Sequence, residues 1–195
     1  MRCHPISAGH VCGFNCYRPS PRYVSPEQAA ALSKFVPSDV KSVVVTVDAD
    51  DALFEEIFQH FTPDLIQLHG KELPQRAADL KVRWKAPVIR ALPIETAAHF
   101  DAVKAYEDAA DYFLFDAAPP EGSVLPGGNA ASFDWRLLRG RHFAKSWFLA
   151  GGLNVKNLSD AVMLSGATRV DISSGVERTP GMKDPIMIDE LLRDL

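Results

Sequence analysis

The chain has 195 residues, 47% hydrophobic and 24% charged, with a formal net charge of −4. That length supports a sizeable core in one domain or barely two. The slight acidity gives no reason to expect nucleic acid or an anionic membrane as partner, and no apolar run approaches the roughly 18 residues of a bilayer span.

The N-terminal MRCHPISAGH has no signal-peptide core, so the expected compartment is the cytoplasm. The cysteines, Cys3, Cys12 and Cys16, fit reduced thiols better than a disulfide framework. A zinc site would need more ligands than His4 and His10 could add, so no metal is expected.

Short β-rich runs then recur: VCGFNC (11–16), SVVVTV (42–47), LIQLH (65–69), APVIRAL (86–92), YFLFD (112–116), SWFLAG (146–151) and TRVDIS (168–173). Segments with helical spacing separate most of them. SPEQAAALSKF (25–35) offers Ser25 as N-cap, Pro26 at the first helical position and a stripe of Ala30, Leu32 and Phe35. DDALFEEIFQHF (50–61) places Leu53, Ile57 and Phe61 on one face, and similar stripes occupy 94–107, 154–164 and 184–193. Strand followed by helix, repeated, predicts a parallel sheet buried on both faces. No linker or low-complexity tract divides the chain, so residues 1–195 read as one domain. No strand leads into G-x-G-x-x-G, which weighs against a dinucleotide-binding sheet and for a TIM (β/α)8-type barrel. Seven strand signals are recognisable rather than eight. The ten residues before the first cannot hold a βα unit, so the barrel reads as lacking its first one.

In barrels the chemistry sits at the C-terminal ends of strands. Two late strands end in small-residue loops, Gly151-Gly152 and Ser173-Ser174-Gly175. Such loops let backbone N–H groups approach an anion, and here they suggest a phosphate site. Arg22 follows the first strand, Gln67 and His69 share one face at the end of the third, and Asp171 lies near the end of the last. Arg22, His69 and Asp171 each have a bland reading: solvated cation, core histidine and backbone anchor respectively. Asp116, ending an otherwise apolar strand, could be a turn-former or an acid. The long loop after it, AAPPEGSVLPGGNAASFDW (117–135), could close over the mouth and raise its proton affinity. Lys183 could be a surface cation or part of the last loop. Together these groups read as a pocket for a phosphorylated small molecule.

The runs RPSPRYVSPEQA (18–29), LIQLHG (65–70), LFDAAPP with LPGGNAASFDW (114–135), FLAGGLNVKN (148–157) and VDISSGVERTPGMKD (170–184) resemble the phosphoribosylanthranilate isomerases of tryptophan biosynthesis, in the right order from about Gly9 onward. The resemblance implies an Amadori rearrangement of N-(5-phosphoribosyl)anthranilate to 1-(2-carboxyphenylamino)-1-deoxy-ribulose 5-phosphate, without cofactor or metal. It implies Asp116 as general acid, Arg22, Gln67, His69 and Asp171 around the substrate, and Gly151, Gly152, Ser173, Ser174 and Gly175 as the phosphate cradle. It implies no oligomeric state. An indole-glycerol-phosphate synthase would need a strand-end lysine as acid, which is not seen.

The family's first strand carries Lys-Ile-Cys-Gly, with Cys as general base, and this chain has no such motif. Cys12, Asn15 and Cys16 stand where apolar residues are usual, and none of the three cysteines is expected to serve as base. The missing motif and the missing unit imply a shortened chain with open sheet edges, poor stability and reduced turnover. The alternative expectation is therefore a relative that only binds phosphorylated sugar.

Overall fold

The computed structural model describes residues 4–6, 9–120, 122–123, 125–128 and 131–193. Cys3 and parts of the 117–135 loop lie outside the described residues. A short strand β1 (His4–Ile6) pairs antiparallel with β2 (Gly9–Asn15). Helix α1 (Pro26–Ser33) leads to β3 (Val40–Thr46), α2 (Asp51–His60) to β4 (Leu65–Leu68), and α3 (Pro74–Trp84) to β5 (Val88–Ile94). Strands β6 (Tyr112–Ala117) and β7 (Ser146–Leu149) follow, then α4 (Leu158–Ser165), the hairpin β8 (Glu177–Thr179) and β9 (Met182–Lys183), and α5 (Pro185–Arg193). Strands β2 to β7 pair in sequence order, all parallel, in a sheet of TIM-barrel type.

All seven sequence runs occupy the sheet, but the last does so without forming a ladder. It joins through one bridge between Leu149 and Val170, made by Leu149 N–H to the Arg169 carbonyl (3.0 Å) and Asp171 N–H to the Leu149 carbonyl (2.8 Å). The expected open edge at β2 is partly covered. β1 pairs with its first residues, and Val24 N–H donates to the Asn15 carbonyl at 2.8 Å near its end. Neither β1 nor the β8–β9 hairpin carries a sequence signal long enough to read.

Period-2 alternation sorts each strand between two apolar layers. Val43, Leu65, Ile89, Ala91, Leu114, Phe148 and Ala150 form the interior cluster. Their neighbours Val44, Ile66, Val88, Phe113 and Leu149 face the helices. Along β2 and at the residue just after it, the same alternation sends Cys12, Phe14 and Cys16 to the helix side, where Cys12 and Phe14 pack with Ala29. Burial, helped by the charge of Glu56, pushes the Cys16 thiol up to about 12. A thiol held that firmly neutral is a core hydrophobe rather than a base.

Local chemistry starts the first helix as anticipated. Ser25 Oγ accepts from Gln28 N–H (3.2 Å), and the Gln28 side chain accepts from Ser25 N–H (2.9 Å), closing a capping box. The stripe was misplaced, however. Pro26 and Ala29 are buried, whereas Leu32 is 42% and Phe35 84% exposed. The helix ends at Ser33, so 3.6-residue spacing no longer applies to Phe35. In α2 the buried pair is Phe54 and Ile57, with Leu53 and Phe61 half-buried. The stripe at 94–107 forms 3-10 turns over Ala97–Tyr106 and buries Phe100, Val103 and Tyr106. Their spacing of three matches three residues per turn, not 3.6.

Candidate active site

Inward positions continue past the apolar layer into polar residues at the strand ends. On β4 the inward positions are Leu65 and Gln67, with His69 two residues further, and on β6 they include Leu114 and Asp116. These side chains meet. Gln67 Nε2 lies 3.1 Å from His69 Nδ1, and His69 Nε2 lies 3.1 Å from Asp116 Oδ2. When the imidazole is neutral, the amide donor on Nδ1 places its proton on Nε2, which donates to the carboxylate. The other oxygen, Oδ1, accepts from Ala117 N–H at 2.8 Å. Asp116 is 8% exposed.

The loop after β6 lies directly over this chain. A Cβ at Gly127 would come within 2.5 Å of His69 Nε2 and 2.8 Å of Asp116 Oδ2. Gly127 therefore lets the loop backbone cover the pair with no side chain between.

A cavity of about 480 Å³ opens beside Asp116. Arg22, Gln67, His69, Asp171, Gly151, Gly152, Ser173 and Ser174 all line it with Asp116. Among the described residues, the backbone N–H groups of Gly151, Gly152, Ser173 and Ser174 meet no protein acceptor. Gly175 is not on the wall. It bridges to Asn154, tying the two small-residue loops together. A Cβ there would overlap the Leu153 carbonyl oxygen and approach its carbon (2.8 Å) and Asn154 Cα (2.9 Å). All three are backbone and cannot rotate away. Gly175→Ala is expected to cost about 1–3 kcal/mol through overpacking, read as a lower urea midpoint. An unchanged midpoint would mean that the two loops are not held in contact there.

Arg22 is engaged by a residue to which the sequence assigned no role. Its Nε and Nη2 donate to Glu177 Oε1 and Oε2, both at 2.9 Å. Lys183 Nζ donates to the same Glu177 Oε1 (2.7 Å), to the Ser173 carbonyl (2.7 Å) and to Ser173 Oγ (3.0 Å). Lys183 thus belongs to the last loop and is not a free surface cation. Burial pulls its ammonium down, opposed by the bond to Glu177. Asp171 keeps no side-chain hydrogen bond among the described residues. Burial pushes its carboxyl up, and the charge of Asp116 adds to this; His69 and Lys183 oppose it.

A family model described as N-(5'phosphoribosyl)anthranilate (PRA) isomerase matches residues 6–194. The chain belongs to this family. It is 48% identical over 186 residues to N-(5'-phosphoribosyl)anthranilate isomerase of Mesorhizobium japonicum, covering 95% of this chain and 84% of the relative. It is 49% identical over 181 residues to that of Caulobacter sp. strain K31, covering 92% and 85%. Among solved structures, the phosphoribosyl anthranilate isomerase of Thermotoga maritima superposes with TM-score 0.81 at 29% identity, covering 94% of this chain and 86% of that one. Another isomerase of the family, solved with reduced 1-(o-carboxyphenylamino)-1-deoxyribulose 5-phosphate, superposes with TM-score 0.77 at 28% identity, covering 94% and 85%. These relatives favour an isomerase over a protein that only binds sugar phosphate. Among the described residues, no helix is long and apolar enough to cross a membrane.

Proposed function

We propose that the cavity isomerises N-(5'-phosphoribosyl)anthranilate by acid–base chemistry, with Asp116 and Asp171 as the two proton carriers. The observation that carries this reading is the Gln67–His69–Asp116 chain on the same cavity wall as two loops whose N–H groups are unpaired among the described residues. Those N–H groups suit a phosphate, with Lys183 nearby as a positive charge.

In this reading Asp116 gives its proton to the ring oxygen as the C1–O bond breaks and the amine lone pair forms the Schiff base. The carboxylate left behind is already held by His69 Nε2–H and Ala117 N–H, which stabilises the charge as it develops. A base must then take the C2 proton. The C2–H electrons form the C1=C2 bond and neutralise the iminium, and the enol tautomerises to the ketone. Asp171 is the cavity carboxylate with no hydrogen-bond partner among the described residues. Once Asp116 becomes an anion, its field raises the proton affinity of Asp171, so the first transfer prepares the second.

The test is turnover of N-(5'-phosphoribosyl)anthranilate by this chain, compared with a relative of the family. Binding of the reduced product analogue without turnover would sink the reading. Asp171→Asn carries a second expectation. A carboxyl pushed up in the folded state contributes stability below its ordinary value of 3.8, and that contribution is lost as pH rises through the folded value. Asp171→Asn should therefore lower kcat by about 10²-fold or more yet denature later than the parent at pH 7.5, with no gain below pH ~4. Urea midpoints at the two pH values, beside kcat, measure both; parental kcat would remove Asp171 from the mechanism.

A further inference from the structure

Behind the sheet, on the face opposite the cavity, sits an ion pair that no step above uses. Glu72 and Arg90 are 6% and 4% exposed, and Arg90 Nη1 lies 2.7 Å from Glu72 Oε2. The alternation on β5 explains the placement. Ile89 and Ala91 point inward, so Arg90 points to the helix side, under α3 and the 97–106 turns. A buried pair there is weak evidence for stability, because desolvation offsets the attraction. Arg90 Nε is also buried without a partner among the described residues.

Beyond itself the pair contacts chiefly the turn that carries His69, together with Asp48 and Tyr106. Arg90 Nη1 donates to the Leu68 carbonyl (3.3 Å), and Nη2 donates to the Gly70 carbonyl (2.9 Å). Glu72 Oε2 accepts from Gly70 N–H (2.9 Å), and Oε1 accepts from Asp48 N–H (2.8 Å). Asp48 Oδ1 in turn accepts from Lys71 N–H (2.6 Å). Tyr106 closes the cluster, its ring 4.9 Å from the Arg90 guanidinium and its hydroxyl donating to the Glu72 carbonyl (2.8 Å). The peptide groups on both sides of His69 are thus pinned, while His69 N–H itself donates to the Thr46 carbonyl at 2.9 Å.

We propose that Glu72 and Arg90 are positioning residues for His69, fixing the turn so that the imidazole bridges Gln67 and Asp116. The pair touches no ligand and acts only through the imidazole. The catalytic half of this inference rests on the isomerase reading; the structural half does not.

The experiment uses the full chain with Glu72→Gln/Arg90→Met, which removes both charges together and avoids a lone buried ion. Arg90→Lys, which keeps the charge but loses the fork that reaches Leu68 and Gly70 together, is made alongside. The first readout is the 15N spectrum of the His69 ring, assigned with His69→Asn. The parent should show the Nε2–H tautomer, and both variants should show mixed tautomers while circular dichroism stays parental. The second readout is kinetic: kcat should fall roughly 10–100-fold, as expected for a catalytic group set slightly out of place, with KM within about threefold. Parental ring signals in a folded variant would overturn the proposal whatever the activity. Should the double variant fail to fold, Arg90→Lys decides by the same spectrum. An inactive parent with the expected ring signals would count against the isomerase reading and leave the positioning of His69 standing.

Discussion

Asp116→Asn is expected to lower kcat by about 10²–10⁴, the usual worth of a positioned proton donor, while the reduced product analogue still binds within about tenfold. Two causes act together. The amide has no acidic proton to give to the ring oxygen. It also has one acceptor where the native carboxyl uses two, Oδ1 for Ala117 N–H and Oδ2 for His69 Nε2. Whichever way the amide turns, one donor faces another donor. Relief requires His69 to change tautomer, which then sets Nδ1–H against the Gln67 amide. The defect therefore travels along the chain of three side chains rather than staying at residue 116. Steady-state kinetics and calorimetric titration with the analogue separate the two quantities. A variant with kcat within tenfold of the parent would remove Asp116 as the acid, and loss of analogue binding would turn its role from chemistry to shape.

Much of the scaffold was legible because its signals are local. A run such as SVVVTV is apolar at every position but Ser42 and Thr46, and a strand covered on both faces demands that. Ser25, Pro26 and Gln28 start a helix through contacts three residues apart. What failed depended on distant partners or on geometry that the assumed period did not fit. Phe35 falls beyond the end of α1, and Phe100, Val103 and Tyr106 obey a three-residue repeat. β1 is three residues long and exists by pairing with β2.

The site divides along the same line. Gln67, His69 and Asp116 could be found because strand alternation aims alternate residues one way and the apolar pattern shows which way is inward. At Gly175 the sequence suggests an anion cradle; in the structure a side chain there would meet the Leu153 backbone, a contact no local pattern shows. Glu177 was visible in SSGVE and unreadable as a partner of Arg22, 155 positions away. A charge complement was the available hint: Arg22 and Lys183 both near the mouth call for an anion among them.

Glu177→Leu puts that network to its sharpest test. Glu177 Oε1 accepts from Arg22 Nε and Lys183 Nζ, while Oε2 accepts from Arg22 Nη2 and from Gly181 N–H at 3.2 Å. The side chain is 3% exposed, against 13% for Arg22 and 23% for Lys183. Burial pushes the carboxyl up, but the hydrogen bonds and charges of Lys183 and Arg22 outweigh it and hold it below its ordinary range. Leucine leaves two cations without their anion. Breaking a buried pair costs about 3–5 kcal/mol; the lower figure, about 3 kcal/mol, applies here because Lys183 retains contact with solvent. The sign with pH follows from the depressed carboxyl. Its contribution is present above its ordinary value of 4.5 and is lost as pH falls through the folded value. The gap between parent and variant should therefore be widest near pH 7 and narrow steadily below pH ~4. Function should suffer in binding first. Arg22 loses its fixed orientation and Lys183 its tether beside Ser173, so KM should rise more than kcat falls. Denaturation midpoints from pH 3 to pH 8, with kcat and KM at pH 7, test both halves. A gap that stays constant with acid would mean that the carboxylate is not what joins Arg22 to the last loop.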